Sequence, residues 1–293
     1  MKVHLVDGTY ELFRYFFALP SHITDDGREV AAARGAVGTV FQILEGGATH
    51  VGVATDHVIE SFRNDLWPGY KSSAGVAPEL LAQFGLFEDV LTAAGITVFP
   101  MVEFEADDAL GAAAHIAAQD TRVEQVLICT PDKDLGQCVI GDRIVQLDRR
   151  KDTVFDEAGV TEKFGVPPAS IPDYLALVGD AADGFPGLPG FGAKSTATVL
   201  ARYGHLEDIP ALSADWDVSV RGGGKLAKTL QDNIDLAVLF RRIATIELDA
   251  PTITNVDELE WTGPTDELAG LAERLDAPGL VDRAERLARA RQP

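Results

Sequence analysis

Three β-branched, apolar runs each end at an aspartate or just before one. KVHLV precedes Asp7, THVGVAT reaches Asp56, and QVLICTP precedes Asp132. Helix-like stretches lie between these runs, so the first part of the chain, to about residue 150, alternates strand and helix. That alternation predicts an α/β fold, a sheet with helices on both faces. Strands are expected over 3–6, 51–55, 96–99, 125–129 and 144–147, and helices over 11–18, 33–44, 79–94, 106–118 and 134–139. In open α/β sheets, sites form at the carboxyl ends of parallel strands. Three aspartates fall there.

More acids arrive in short clusters: Glu105-Ala-Asp107-Asp108 at a helix start, Asp132-Lys-Asp134, and Asp180-Ala-Ala-Asp183. Taken alone, each has an ordinary explanation. Acids favour the dipole of a first helical turn, a DKD triplet fits a solvated turn, and Asp180 with Asp183 fits an N-cap and a turn. Taken together, nine carboxylates (Asp7, Asp56, Glu105, Asp107, Asp108, Asp132, Asp134, Asp180 and Asp183) cannot all stay ionised side by side without cations. Oxygen-only ligation at that density suits Mg²⁺ or Mn²⁺. Two such ions about 4 Å apart can activate water and stabilise both the attacking and the leaving oxygen of a phosphoryl group. The leading reading is therefore a metal-dependent phosphoryl-transfer enzyme. Val6-Asp7-Gly8-Thr9 overlaps the aspartyl-phosphatase DxDGT signature, but Leu5 stands where the nucleophile belongs, so covalent aspartyl chemistry is not supported.

After about residue 156 the pattern turns helical, with helices expected over 157–164, 171–177, 195–203 and 224–243 and a weak strand over 244–248. Between them lies Gly187-Leu-Pro-Gly190-Phe-Gly192-Ala-Lys194-Ser195. Its glycines allow close backbone approach, and amides at the following helix start can hold a phosphate. In the loop 64–78, Arg63 and Lys71 flank Trp67 and Tyr70, a pairing of cation and aromatic that suits phosphate contact and base stacking. The six histidines look scattered and receive no role.

The net charge of −21 argues against polyanion binding. Its distribution softens the objection: between Gly187 and Arg242, seven Lys/Arg face six acids, and a local cationic face can coexist with an acidic body. Binding is expected to be weak and salt-sensitive. With 293 residues the chain has room for one large domain with an appended module, or for two domains. No run of eighteen apolar residues occurs, and no secretion signal is seen at the N-terminus. Cys129 and Cys138 are spaced unlike a zinc site and fit reduced thiols of a cytoplasmic protein.

At these residues the chain resembles the bacterial and phage 5′-nuclease (flap endonuclease) family, which includes the N-terminal nuclease domain of bacterial DNA polymerase I. LVDGTYELFRYFFALP, ATD…FRNDLWPGYK, FEADDALG, CTPDKDLGQ and LVGDAADGFPGLPGFGAKSTATVL carry the resemblance, in order and with fitting spacing, from about residue 1 to 248. It implies a PIN-like, Rossmann-like α/β nuclease core over 1–165 with an arch region near 57–95. A helix–three-turn–helix module over 166–250 and an acidic tail over 251–293, packing on the body, would follow. It also implies a 5′-3′ exonuclease and structure-specific 5′ flap endonuclease of DNA replication and repair. The alternatives are a nucleic-acid-binding paralogue with weak or no catalysis, and a PIN-type ribonuclease.

Carried over residue by residue, the family's metal carboxylates land on the nine acids named above, with Asp132 and Asp134 central to catalysis. Its phosphate-contacting cations land on Arg63 and Lys71, and an arginine of the first helix on Arg14. Tyr70, Gly187, Gly190, Gly192, Lys194 and Ser195 are the remaining expected DNA contacts, with K⁺ at the loop. The implied partners are DNA with a 5′ end, flap or nick, and RNA-containing flaps. A free-standing monomer is expected. Departures from the family pattern concentrate near the arch: Val58 and Glu60 stand where lysines are usual, and Ser72–Pro78 replaces a basic run. An aromatic usual near Gly38 is absent, Pro131 replaces a glycine, and Gly184 replaces an asparagine. These bear on flap preference more than on hydrolysis.

Overall fold

A computed structural model describes residues 1–291. In chain order the first elements are β1 (Lys2–Asp7), α1 (Gly8–Ala18), α2 (Ala31–Glu45), β2 (His50–Asp56), α3 (Arg63–Leu66), α4 (Pro78–Ala93), β3 (Thr97–Met101), α5 (Ala106–Gln119) and β4 (Gln125–Cys129). A 3₁₀ turn, Asp134–Cys138, leads into β5 (Ile144–Asp148), β6 (Thr153–Phe155), α6 (Glu157–Phe164), α7 (Ile171–Val178) and α8 (Ala193–Tyr203). The chain ends with α9 (Gly223–Asp232), α10 (Ile234–Ala244), α11 (Leu268–Arg274) and α12 (Gly279–Arg291). These elements form two compact units, each assembled from separate stretches of sequence.

The first unit comprises Met1–Ile59, Ser73–Thr130 and the segment from Glu247 onward. Four parallel strands run in the order β3-β2-β1-β4. Every residue of β2 is buried, as expected of an inner strand covered on both faces. Its last two residues show the covering: the Thr55 hydroxyl donates to Glu88 of α4, while the Asp56 carboxylate accepts from the first amide of α5, that of Ala106. Neighbouring strand residues point to opposite faces, so α4 and α5 lie on opposite sides of the sheet. The C-terminal segment packs on the same unit. Trp261 donates its indole N–H to the Ala94 carbonyl, Arg283 pairs with Glu45, and Arg291 reaches the carbonyls of Leu44 and Ala48.

The second unit, Glu60–Ser72 with Pro131–Ile246, holds the β5–β6 hairpin and helices α6 to α10. Its core gathers Ile171, Leu175 and Leu177 of α7 with Phe185, Leu188, Val199, Leu200, Leu230 and Phe240. Two elements differ from the sequence expectation. The helix expected over 224–243 breaks at Asn233, whose side chain donates to the Thr229 carbonyl and whose φ of −134° leaves the helical region. Asparagine competes with the helix by bonding nearby backbone. The strand expected over 244–248 does not form. The Ile246 amide goes to the Gln137 side chain and the Glu247 amide to Asp108, so side chains take the bonds a ladder would need.

Candidate metal centre and nucleic-acid interface

In the α/β unit, Asp7 and Asp56 close β1 and β2 at their carboxyl ends. Asp7 caps α1, accepting from the Tyr10 amide at 2.8 Å and the Thr130 hydroxyl at 2.9 Å. Asp56 is held by the Ala106 amide at 2.7 Å, while its own amide goes to the Thr9 hydroxyl. Glu105 and Asp108 form a reciprocal capping box at the start of α5. Asp108 is fully buried and accepts amides on both oxygens, from Glu105 at 3.0 Å and Glu247 at 2.8 Å. The helix-start explanation is thus realised for Asp108. Asp107, facing another side of the same turn, is half-buried.

In the helical unit, oxygens of Asp134, Asp180 and Asp183 converge to within 4.8 Å of one another. The local chain explains how. Asp132 accepts the Asp134 amide at 3.0 Å and starts the 3₁₀ turn, while Gln146 of β5 donates to the Asp132 carbonyl. Gln137, one turn on, donates to the carbonyls of Asp134 and Ala244. Asp180 and Phe185 exchange backbone bonds that close the 180–185 turn, and the Asp180 side chain accepts the Ala182 amide. Gly184 has a φ of +81°, and a Cβ there would meet the Gly69 carbonyl oxygen at 2.0 Å, so only glycine fits. The sequence departure at this position is therefore required by local packing.

The donor set fits a hard divalent cation. Asp134 is 6% exposed, and its Oδ1 has no hydrogen-bond partner among the described residues, a costly state for a carboxylate oxygen. Burial first, then the charges of Asp132 and Asp183, push its carboxyl well above the ordinary value of 3.8, and only Lys133 opposes them. A cation among these oxygens removes that penalty and takes up the unpartnered oxygen. Two ammonium groups already lie against the triad: Lys133 pairs with Asp180, and Lys71 lies 3.4 Å from Asp183. The attraction of Asp134, Asp180 and Asp132 outweighs burial and holds Lys133 in its charged form above the ordinary lysine value.

The other expected contacts separate. Lys71 is positioned by its amide, which donates to the Asp183 carbonyl at 3.0 Å, and by Asn64, which binds its carbonyl. Arg63 is 2% exposed and gives Nε to the Ile243 carbonyl at 2.7 Å and Nη2 to the Thr245 carbonyl at 2.9 Å. These two bonds clamp the end of α10. Tyr70, expected to stack on a base, is 5% exposed and belongs to the helical core. A loop of aromatics and cations reads the same in sequence whether its rings face water or a core. Arg14 lies over the Tyr15 ring and pairs with the buried Glu11.

The glycine-rich segment makes the turn into α8. Gly187 has a φ of +66° and passes so close to Gly179 that a Cβ would meet its nitrogen at 2.4 Å. Gly190, Gly192 and Lys194 are exposed, and Ser195 caps the helix through the Gly192 amide and carbonyl. Sequence reasoning gave no role to Lys133, Gln137 or Thr130. All three lie within the CTPDKDLGQ segment, where a lysine between two aspartates and a glutamine one turn later were the available signals.

Within the helical unit, the three converging carboxylates suit a hard divalent cation, and the α/β unit carries acids of its own at the carboxyl ends of parallel strands. Two family descriptions cover this chain: the 5′-3′ exonuclease N-terminal resolvase-like domain matches residues 2–165, and the 5′-3′ exonuclease C-terminal SAM fold matches 166–267. The chain belongs to the 5′-3′ exonuclease family, a family of nucleases. It is 34% identical to a 5′-3′ exonuclease of Aquifex aeolicus over 209 residues, 71% of each protein. It is 31% identical to DNA polymerase I of Bacillus caldotenax over 290 residues, which is 97% of this chain but 32% of the polymerase. The chain thus spans about a third of the polymerases it matches. Among solved structures, the bacteriophage T5 flap endonuclease in a complex with DNA and metal ions superposes with a TM-score of 0.64. That match is 18% identical and covers 99% of this chain and 97% of the phage protein. At that identity the likeness shows the fold.

Proposed function

We propose that this chain is a divalent-metal-dependent nuclease that hydrolyses DNA phosphodiesters at 5′ ends, nicks and flaps. It would act as a 5′-3′ exonuclease and a structure-specific flap endonuclease in replication and repair. One observation carries the reading: a buried carboxylate oxygen of Asp134 without a hydrogen-bond partner among the described residues, in a triad with Asp180 and Asp183. Family membership supports it. Mg²⁺ or Mn²⁺ would be held by Asp132, Asp134, Asp180 and Asp183 of the helical unit and by Asp7, Asp56, Glu105, Asp107 and Asp108 of the α/β unit. When bound, such ions supply the Lewis acidity for in-line attack by water and for departure of the 3′ oxygen.

The chain's own residues do the rest. Lys71, kept in place by Asn64 and the 183 carbonyl, offsets phosphate charge. Arg63, its Nε and Nη2 held on the Ile243 and Thr245 carbonyls, is the second cation proposed for phosphate charge. The N-terminus of α8, with exposed Gly192 and Lys194, grips a duplex phosphate, and the loop carbonyls suit a K⁺ ion. An added Cβ at Gly192 would touch nothing within 4 Å, so the chain's own packing does not demand glycine there, whereas close approach of a ligand would. We assign residues 1–165 to the nuclease core, 166–250 to the duplex-gripping module and 251–293 to a supporting tail.

The test is cleavage by purified protein in Mg²⁺ and in Mn²⁺, at low salt, of an internally labelled 5′ flap, a nicked duplex, a single strand and an RNA-containing flap. Metal-dependent release of an intact flap, or of short products from the nick, supports the proposal. Binding without cleavage of any substrate points to a nucleic-acid-binding paralogue. Cleavage confined to RNA points to a ribonuclease.

A further inference from the structure

We propose that Lys133 is an internal counter-cation of the Asp134–Asp180–Asp183 triad, which a divalent ion must displace from Asp180 in order to bind. The inference rests on the metal reading above and adds a residue that tunes metal affinity. Three carboxylates whose oxygens approach within 4.8 Å repel one another. Their two bonded cations differ in kind. Lys71 comes from a separate stretch of the chain and lies 3.4 Å from Asp183. Lys133 sits between Asp132 and Asp134, at the start of the 3₁₀ turn that carries Asp134, so its ammonium is tethered beside the triad.

Asp180 shows what that tether does. Its Oδ1 accepts the Ala182 amide at 2.9 Å, a bond set by the 180–185 turn, and its Oδ2 accepts the Lys133 ammonium. The amide is fixed by backbone, whereas the ammonium ends a flexible four-carbon stem whose side chain is 35% exposed. An ion that uses Oδ2 therefore competes with Lys133, while the unpartnered Oδ1 of Asp134 offers no such competition. Removing the ammonium leaves a more strongly anionic triad. Metal affinity should rise, the opposite of what loss of a merely structural residue would produce.

The experiment is calorimetric titration of metal-free, full-length protein with Mn²⁺ at fixed pH and low salt, for wild type, Lys133→Gln and Lys133→Arg. Lys133→Gln is expected to bind Mn²⁺ about five-fold more tightly or better, and Lys133→Arg to bind like wild type, because a partly exposed ion pair of this kind shifts an equilibrium by about that factor. Equal or weaker binding by Lys133→Gln, with saturable binding by wild type, overturns this inference and leaves the metal reading standing. No saturable binding by any of the three overturns both. A second measurement needs no variant: acylation of wild-type Lys133, followed by peptide mass spectrometry, should accelerate when Mg²⁺ frees the ammonium. A rate that is unchanged or slower with Mg²⁺ refutes the displacement.

Discussion

Replacing Arg63 with alanine separates a structural clamp from a phosphate contact. The guanidinium is 2% exposed and serves two carbonyls at the end of α10, those of Ile243 at 2.7 Å and Thr245 at 2.9 Å. Helix ends leave their last carbonyls without intrahelical partners, and stranding a buried polar group costs about 1–3 kcal/mol. Ile243 is buried and Thr245 half-buried, so water recovers part of the second bond. The expected loss for Arg63→Ala is therefore roughly 2–4 kcal/mol, concentrated in the helical unit. Arg63→Lys should recover less than half of it, because a point charge cannot reproduce the planar fork that serves two acceptors. The assay is hydrogen exchange of peptides spanning 234–247, read beside thermal denaturation. Faster exchange there, with a lowered melting temperature in the absence of DNA, is the expected outcome. Unchanged exchange and melting, with cleavage abolished, would refute the clamp and favour Arg63 as a direct phosphate contact.

Other outcomes follow from the same geometry. Asp134 has its carboxyl raised above 3.8 by burial and by Asp132 and Asp183. The folded state therefore holds this proton more tightly than the unfolded chain does. Metal-free stability should fall as pH rises from about 4 through the raised value, and the melting-temperature gain from Mn²⁺ should grow over the same range; a gain independent of pH would contradict this. Arg241→Ala removes a 3.0 Å bond to the buried Asp173 and should cost roughly 2–3 kcal/mol in a denaturant melt. Its other partner, Glu207, is held down to about 2, chiefly by bonding to Arg241. That contribution should be present above the ordinary value of 4.5 and be lost as pH falls toward 2, a loss absent in Glu207→Gln. If about four phosphates are neutralised, DNA affinity should drop roughly 10²-fold between 50 and 200 mM salt, and a flat salt profile in a binding titration would exclude phosphate-led recognition.

The parts of this fold that were readable share a physical cause. β1 and β2 are the inner strands of the order β3-β2-β1-β4, so their burial makes them largely apolar runs, and the acids that end them stand out against that background. The triad was readable as three separate acids. Their grouping was expected from the pattern of acids, but the geometry that achieves it was not legible, because it depends on Gln146, on the closed 180–185 turn and on a glycine at 184 that admits the Gly69 carbonyl. Arg63 and Tyr70 were read as surface groups because a small helical unit builds its core from the same aromatics and cations that a binding loop displays. Asn233 was missed as a break because the apolar period continues through it. Lys133 drew no attention because, in sequence, a lysine between aspartates looks like ordinary charge balance.

If these carboxylates run metal-dependent hydrolysis of DNA, their loss must silence cleavage while leaving the fold and DNA binding in place. The most direct measurement compares wild type with the double variant Asp132→Asn, Asp134→Asn on a 5′-labelled nicked duplex in Mn²⁺, with DNA binding and melting temperature recorded for both. Wild type should cleave only when Mn²⁺ is present, and the double variant should bind DNA and stay folded without cleaving. Cleavage by the double variant at the wild-type rate, or cleavage by wild type that persists in excess chelator, would contradict this.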